Sequence, residues 1–160
     1  MPPPHTGGCQ CGAIRFRVTG PLPGSSICHC RMCQKAFGGH YAPLVSVRGT
    51  DFAFTRGEPK RFASSNVVLR GFCGDCGTPL TCEAPDGVAV AAGAFDDPDG
   101  CAPDFQHGIE AHLRFFAGLH LLPESRTEDG IEAVPFLDSL VNFQHPDHDT
   151  ETWPPEGRMP

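Results

Sequence analysis

The sequence predicts a mainly β fold, built as one loop-rich domain with a single short helix. Three observations carry this. Most periodic segments alternate apolar and polar residues, the pattern of a half-buried strand. The 160 residues include 19 Gly and 17 Pro but are only 39% apolar, so the core is lean and the loops many. Seven of the nine cysteines fall into three tight groups, and a lean core of this kind gains from cross-links or metals.

The elements follow in chain order. "AIRFRV" (13–18) places Ile14, Phe16 and Val18 on one face of a strand. "YAPLVSV" (41–47), "DFAFT" (51–55), "RFASSNVVLRGF" (61–72) and "GVAVAAGAF" (87–95) are further β-branched, aromatic or alternating runs separated by Gly and Pro. "LTCEA" places Cys82 on a strand, and "IEAHLRF" (109–115) alternates with Ile109, Ala111, Leu113 and Phe115 on one face. "RMCQKAFG" (31–38) makes two turns of helix, stopped by Gly38 and Gly39. The strands run from about residue 7 to about 118, which sets a β domain over 1–120 and a C-terminal extension over 121–160. Within the extension, "IEAVPFLDSLVNF" (131–143) suits a short helix or an extended segment. "QHPDHDTETWPPEGRMP" (144–160) is polar and suits an extended tail.

The formal net charge of −7 argues against the nucleic-acid backbone and anionic membranes as partners. No run of about 18 apolar residues suggests a membrane span. "MPPPHTGG" lacks the basic start and apolar run of a secretory signal. A reducing, cytoplasmic setting is therefore expected, with the cysteines as thiols or metal ligands; an exported, disulfide-stapled protein is the alternative.

The cysteines divide into four and three. "CQCG" (9–12) and "CGDCG" (73–77) each pair two thiols and follow them with Gly, as metal knuckles do. Two such pairs suit a closed, tetrahedral four-cysteine site whose negative charge backbone N–H groups must offset. A pair of redox disulfides is the rival reading. "CHCRMC" (28–33) differs, because Cys28, Cys30 and Cys33 on one loop surround an ion without supplying a fourth ligand. Three ligands with one exchangeable position is how catalytic zinc sites are built. An all-thiolate ion is a weak generator of hydroxide and better suited to a soft fourth ligand such as a substrate thiolate. The rivals are a second structural site completed by a His, an Asp, Cys82 or Cys101, or a disulfide formed when metal is lost.

"GGCQCGAIRFRV", "CHCRMCQKAFGG", "FCGDCGTPL" and "GAFDDP" together resemble the glutathione-dependent formaldehyde-activating enzyme family, also called the centromere-protein-V-like family, over roughly residues 7–118. The resemblance implies a zinc-containing β-tent fold of antiparallel sheets. It implies a structural zinc on Cys9, Cys11, Cys73 and Cys76 and a second zinc on Cys28, Cys30 and Cys33. It further implies a carbon–sulfur lyase acting on a glutathione or other thiol adduct of an aldehyde, such as S-hydroxymethylglutathione. Where family members carry a His-aromatic strand followed by Lys and Trp, this chain has "QHGIEAHLRFF", and its single Trp stands at 153.

An anionic thiol substrate calls for cations near the triple-cysteine loop. Arg31 and Lys35 flank it, and Arg61 and Arg70 lie on strands leading into Cys73. For each, a solvated surface charge is the alternative. His29 either supports its neighbouring ligands or faces solvent. Asp96, Asp97 and Asp99 suit a turn more than acid–base chemistry. Cys82 is expected as a buried small hydrophobe, Cys101 as an exposed thiol, and "HPDHD" (145–149) as polar tail. A non-catalytic, zinc-stabilised binding, scaffold or redox-sensing module is the alternative to the lyase, and metal transfer a third reading.

Overall fold

The structure, a computed structural model, describes residues 3–130 and 132–154. It contains ten strands: β1 (His5–Gly8), β2 (Arg15–Val18), β3 (Gly24–Cys28), β4 (Ala42–Val47), β5 (Phe52–Arg56), β6 (Lys60–Ala63), β7 (Leu69–Phe72), β8 (Pro79–Ala84), β9 (Gly87–Ala91) and β10 (Phe105–His107). The one α-helix among the described residues, α1 (Arg31–Phe37), ends at Gly38 with φ 61°, as the sequence predicts. The strands form a three-stranded sheet, β1-β2-β5, and a seven-stranded sheet, β10-β3-β4-β9-β8-β7-β6. Pairing is antiparallel except between β10 and β3.

The main core lies where the two sheets meet. Ile14, Phe16 and Val18 are at most 3% exposed and pack with Val45, Val47, Leu80, Val90 and Phe95. Phe16 meets Phe95 edge-on with ring centroids 5.1 Å apart. Strand alternation sends Ala42 and Leu44 to the opposite face of β4, where they pack with Cys33 of α1. The triple-cysteine loop and its helix therefore sit on the outer face of the large sheet.

Three expectations are revised. The run 61–72 is a hairpin, because Ser64 and Ser65 turn the chain: Ser64 N–H donates to the Val68 carbonyl, and Ser65 Oγ accepts from the N–H groups of Val67 and Val68. The alternation at 109–115 does not make a strand. Gly108, at φ 63°, redirects the chain into a 3-10 turn at Ile109–Ala111, and Ile109 and Phe115 stay exposed because no sheet covers that face. Cys101 is buried, not exposed, its thiol directed at the Asp97 carbonyl and its own carbonyl accepting from Ser25 Oγ.

The polar stretch after residue 143 is anchored. His145 is 3% exposed, and its N–H donates to the Gln10 carbonyl at 2.8 Å. Trp153 Nε1 donates to the Cys11 carbonyl at 2.6 Å, and both rings fill the space where Gly12 lacks a side chain. Arg56 donates to the Thr150 carbonyl and hydroxyl. Residues 145–153 thus form a strap across the Cys9–Gly12 turn. Residues 155–160 of the predicted tail lie outside the described residues.

The strap is tied to the core by one buried ion cluster. Arg15, 3% exposed, donates to both oxygens of Asp96 and to Asp149, and Thr6 Oγ1 donates to Asp96 at 2.6 Å. Burial alone would raise the Asp96 carboxyl, but Arg15 and the Thr6 hydroxyl outweigh it and hold it below its ordinary value. The folded pKa lies below the unfolded one. Its stabilisation is therefore complete above about pH 4 and is lost as pH falls through the depressed folded value. Asp96→Asn leaves a buried guanidinium half-compensated and is expected to lower stability by about 3–5 kcal/mol. In urea denaturation from pH 7 to pH 2, the gap between wild type and Asp96→Asn should hold steady near neutrality and close in acid. A gap that ignores pH would contradict this.

Candidate metal centres

Seven sulfurs form two separate clusters. Within each, the ligand atoms lie within 4.8 Å of one another. Cys9 and Cys11 come from the turn between β1 and β2, in the small sheet. Cys73 and Cys76 come from the turn between β7 and β8, in the large sheet. The structure thus brings together the four cysteines of the predicted closed site, and their cluster bridges the two sheets. All nine cysteines are free thiols.

The two turns share a design. Gly12 (φ 77°) follows Cys11 and Gly77 (φ 79°) follows Cys76, and each glycine N–H closes back on the first cysteine's carbonyl, at 3.0 and 2.9 Å. Ile14 N–H donates to Cys9 Sγ at 3.2 Å. Thr78 adds a relay: its hydroxyl accepts from Gln10 N–H at 3.0 Å, so its own proton is free for Cys76 Sγ at 3.1 Å. Burial opposes ionisation of Cys76. The Thr78 hydroxyl, the N–H groups of Thr78 and Cys11, and the Cys73 thiol outweigh burial and pull its pKa down to about 6. Cys9 moves the other way, pushed well up by burial despite its hydrogen bond from Ile14. Crowded sulfurs of this kind ionise together only around a cation, which a soft divalent ion supplies by replacing the protons.

The second cluster straddles the start of α1. Cys28 ends β3, Cys30 caps the helix and Cys33 lies in its first turn, with Cys33 N–H donating to Cys30 Sγ at 3.4 Å. Burial and the neighbouring thiols push Cys28 up to about 12. At Cys30 burial also raises the pKa, but the N–H groups of Cys33 and Met32 and the two neighbouring thiols bring it below the ordinary value. Among the described residues no fourth Cys, His, Asp or Glu joins this set. Cys82 packs nearby without completing it, and Cys101 belongs to the main core.

The remaining candidates separate. Arg70 is 4% exposed and donates from Nη2 to Cys33 Sγ at 3.2 Å. Arg31 and Lys35 line an open groove of about 430 Å³ beside α1, with Met32, Ala36, Phe62, Ala63 and Ser64. Arg61, on β6, pairs in register with Gly71 of β7, whereas Arg70 stands opposite Phe62, and the Arg61 Nε donates to both oxygens of Glu83 at 3.0 Å, away from the loop. His29 is fully buried rather than solvent-facing. Its ring packs against Tyr41, His112 and Phe116, and Nε2 meets Gln106 Oε1 at 3.0 Å. Alternation after Cys28 carries that ring away from the sulfurs. Gln34, not singled out in the sequence, fastens the loop by donating to the carbonyls of His29 and Ala111. No periodicity signal marks a glutamine that works through backbone carbonyls.

Fold and clusters together define a β-sheet protein with two cysteine clusters that could hold metal ions, one of four sulfurs and one of three. Comparison with known proteins places it further. Residues 4–110 match the profile of the glutathione-dependent formaldehyde-activating enzyme family, and the chain belongs to that family. A Halomonas elongata protein, provisionally named a glutathione-dependent formaldehyde-activating enzyme, is 50% identical over 42 residues, covering 25% of this chain and 27% of its own. An uncharacterized lyase of Schizosaccharomyces pombe is 32% identical over 85 residues, covering 49% of this chain and 56% of its own. The matches thus span about a quarter and about half of these curated relatives. A crystal structure of a Rhodobacter sphaeroides protein shares the fold at TM-score 0.52 and 19% identity, over 63% of this chain and 98% of that one.

Thr78→Val keeps the shape of the knuckle but removes the hydroxyl between Gln10 and Cys76. Loss of such a supporting hydrogen bond is expected to weaken metal retention at the four-sulfur centre by roughly tenfold. Chelator competition reads the effect, and the three-sulfur centre serves as the internal control. Equal retention in both proteins would contradict the relay.

Proposed function

We propose that the protein is a zinc-dependent carbon–sulfur lyase that opens a thiol–aldehyde adduct such as S-hydroxymethylglutathione at the Cys28/Cys30/Cys33 cradle. The observation that carries this reading is the three-sulfur cluster to which no described residue adds a fourth donor. A binding or scaffold module would gain from a closed site. A three-thiolate site instead suits a soft, exchangeable ligand.

Zinc held by these thiolates supplies a soft acceptor for a further sulfur and so stabilises a thiolate leaving group. The chain's own residues do the rest. Cys28, Cys30 and Cys33 are held at fixed spacing by β3, by the first turn of α1 and by the Gln34 tether. Arg31 and Lys35 present cations along the adjoining groove, where the carboxylates of a glutathione-like thiol are matched in a chain of net charge −7. Met32, Ala36 and Phe62 give the same groove an apolar wall for the aliphatic part. In the reaction the C–S bond of the hemithioacetal breaks, sulfur leaves with the electron pair, the hydroxyl proton is lost, and a C=O bond forms.

Cys30→Ala is expected to abolish turnover of the adduct while the circular dichroism spectrum and melting stay near wild type, because the sheet-bridging cluster is untouched. Unchanged turnover would sink the reading. Lys35→Gln should raise KM for the glutathione adduct roughly three- to tenfold and leave KM for the uncharged 2-mercaptoethanol adduct in place. An equal change for both thiols would remove the groove from substrate recognition.

A further inference from the structure

Arg70 sits where a buried cation needs an explanation. It stands on β7 opposite Cys82 and is 4% exposed. Among the described residues no carboxylate lies within 4.0 Å of its guanidinium; the ion pairs belong to Arg15, Arg17 and Arg61. Its Nε donates to Ser64 Oγ at 2.9 Å, its Nη2 donates to Cys33 Sγ at 3.2 Å, and its Nη1 is buried without a partner. A guanidinium removed from water without a counter-ion is strongly destabilising. The group that faces it is the sulfur of Cys33, which as a metal-bound thiolate would be its counter-ion.

We propose that Arg70 is a positioning residue of the three-sulfur centre, neutralising the Cys33 thiolate and thereby setting how firmly the cradle holds its metal and accepts a further sulfur. The inference rests on the reading of Cys28, Cys30 and Cys33 as metal ligands. Three thiolates around a divalent ion leave one net negative charge, which repels an incoming thiolate. The Arg70 guanidinium, on the ligand itself, brings the assembly to neutrality. The N–H···S bond also withdraws charge from one sulfur, so the metal stays a better acceptor than three free thiolates would leave it. The four-sulfur centre shows the contrast: its supporting bonds come from Ile14 N–H and the Thr78 hydroxyl, neutral donors suited to a closed site. A fixed cation at the three-sulfur centre instead makes room for another anion. Ser64 holds the guanidinium plane from the far side, and it also lines the groove of Arg31 and Lys35, so the charge-setting residue and the anion-binding groove share a wall.

The test uses full-length protein loaded with Cd²⁺ under anaerobic conditions. In Arg70→Gln, chelator competition is expected to show affinity at the three-sulfur centre falling roughly 10- to 100-fold, with the four-sulfur centre unchanged. Arg70→Lys, which keeps the charge, should recover most of the loss; a merely structural role would not be rescued by charge alone. Wild-type affinity in a folded Arg70→Gln protein would overturn the proposal. Where Arg70→Gln fails to fold, the unsubstituted protein decides: a scalar coupling from ¹¹³Cd to a guanidinium N–H proton of Arg70 supports the bond to Cys33, and its absence overturns it. Wild-type protein that binds only one ion would instead defeat the metal reading of the cradle, and the role of Arg70 with it.

Discussion

Four sulfurs meet where the two sheets of this protein face each other. Cys9 and Cys11 belong to the turn of the small sheet and Cys73 and Cys76 to a turn of the large one, so the cluster joins turns from both sheets. Cys9 and Cys73 are nearly inaccessible, so the charge they would carry as metal ligands has to be answered inside the protein. The glycines after each pair, the N–H of Ile14 and the hydroxyl of Thr78 follow from that need. The C-terminal strap follows too: Trp153 and His145 occupy the space beside Gly12 and cover the outside of the turn. A metal held by these sulfurs would give a domain with a lean apolar core a cross-link between its layers, and the strap lies over that turn.

The three-sulfur centre obeys different constraints. It lies on the outer face of the large sheet, built from a strand end and a helix start rather than from two opposed turns. The second cluster of buried residues beneath it is small, formed by Cys33, Ala42 and Leu44. Its rigidity comes instead from directional bonds, with Gln34 reaching two backbone carbonyls and Arg70 reaching Cys33. Such a centre is fixed in shape yet close to an open groove lined by cations. Those are the properties that a site for an exchangeable anionic thiol requires.

The sequence displays the parts of this arrangement that depend on local chemistry. Knuckle glycines, the two-turn helix and the β-branched strands are legible because each rests on backbone conformation or on alternation within a few residues. The division of cysteines into four and three is likewise visible in their spacing, although which pairs share a centre came from family resemblance. Long-range effects are not legible in this way. The alternation at 109–115 looks like a strand until Gly108 and the lack of a covering sheet are known. His29 looks like a solvent-facing residue between two ligands, but Tyr41 and Phe116 enclose it. Arg61 and Arg70 are near neighbours of similar character in the sequence, yet one meets Glu83 and the other the sulfur of Cys33. The strap is invisible because its anchors pair residues 94 to 142 positions apart, from Arg56–Thr150 to Cys11–Trp153.

The most direct test of the four-plus-three division is metal content per chain on anaerobically purified protein, with accessible thiols counted before and after a mild chelator. About two zinc ions per chain, one of them released together with three newly reactive thiols, is the expected result. A single tightly held ion, with a disulfide linking two of Cys28, Cys30 and Cys33, would contradict it and turn the three-cysteine loop from a metal cradle into a redox clip.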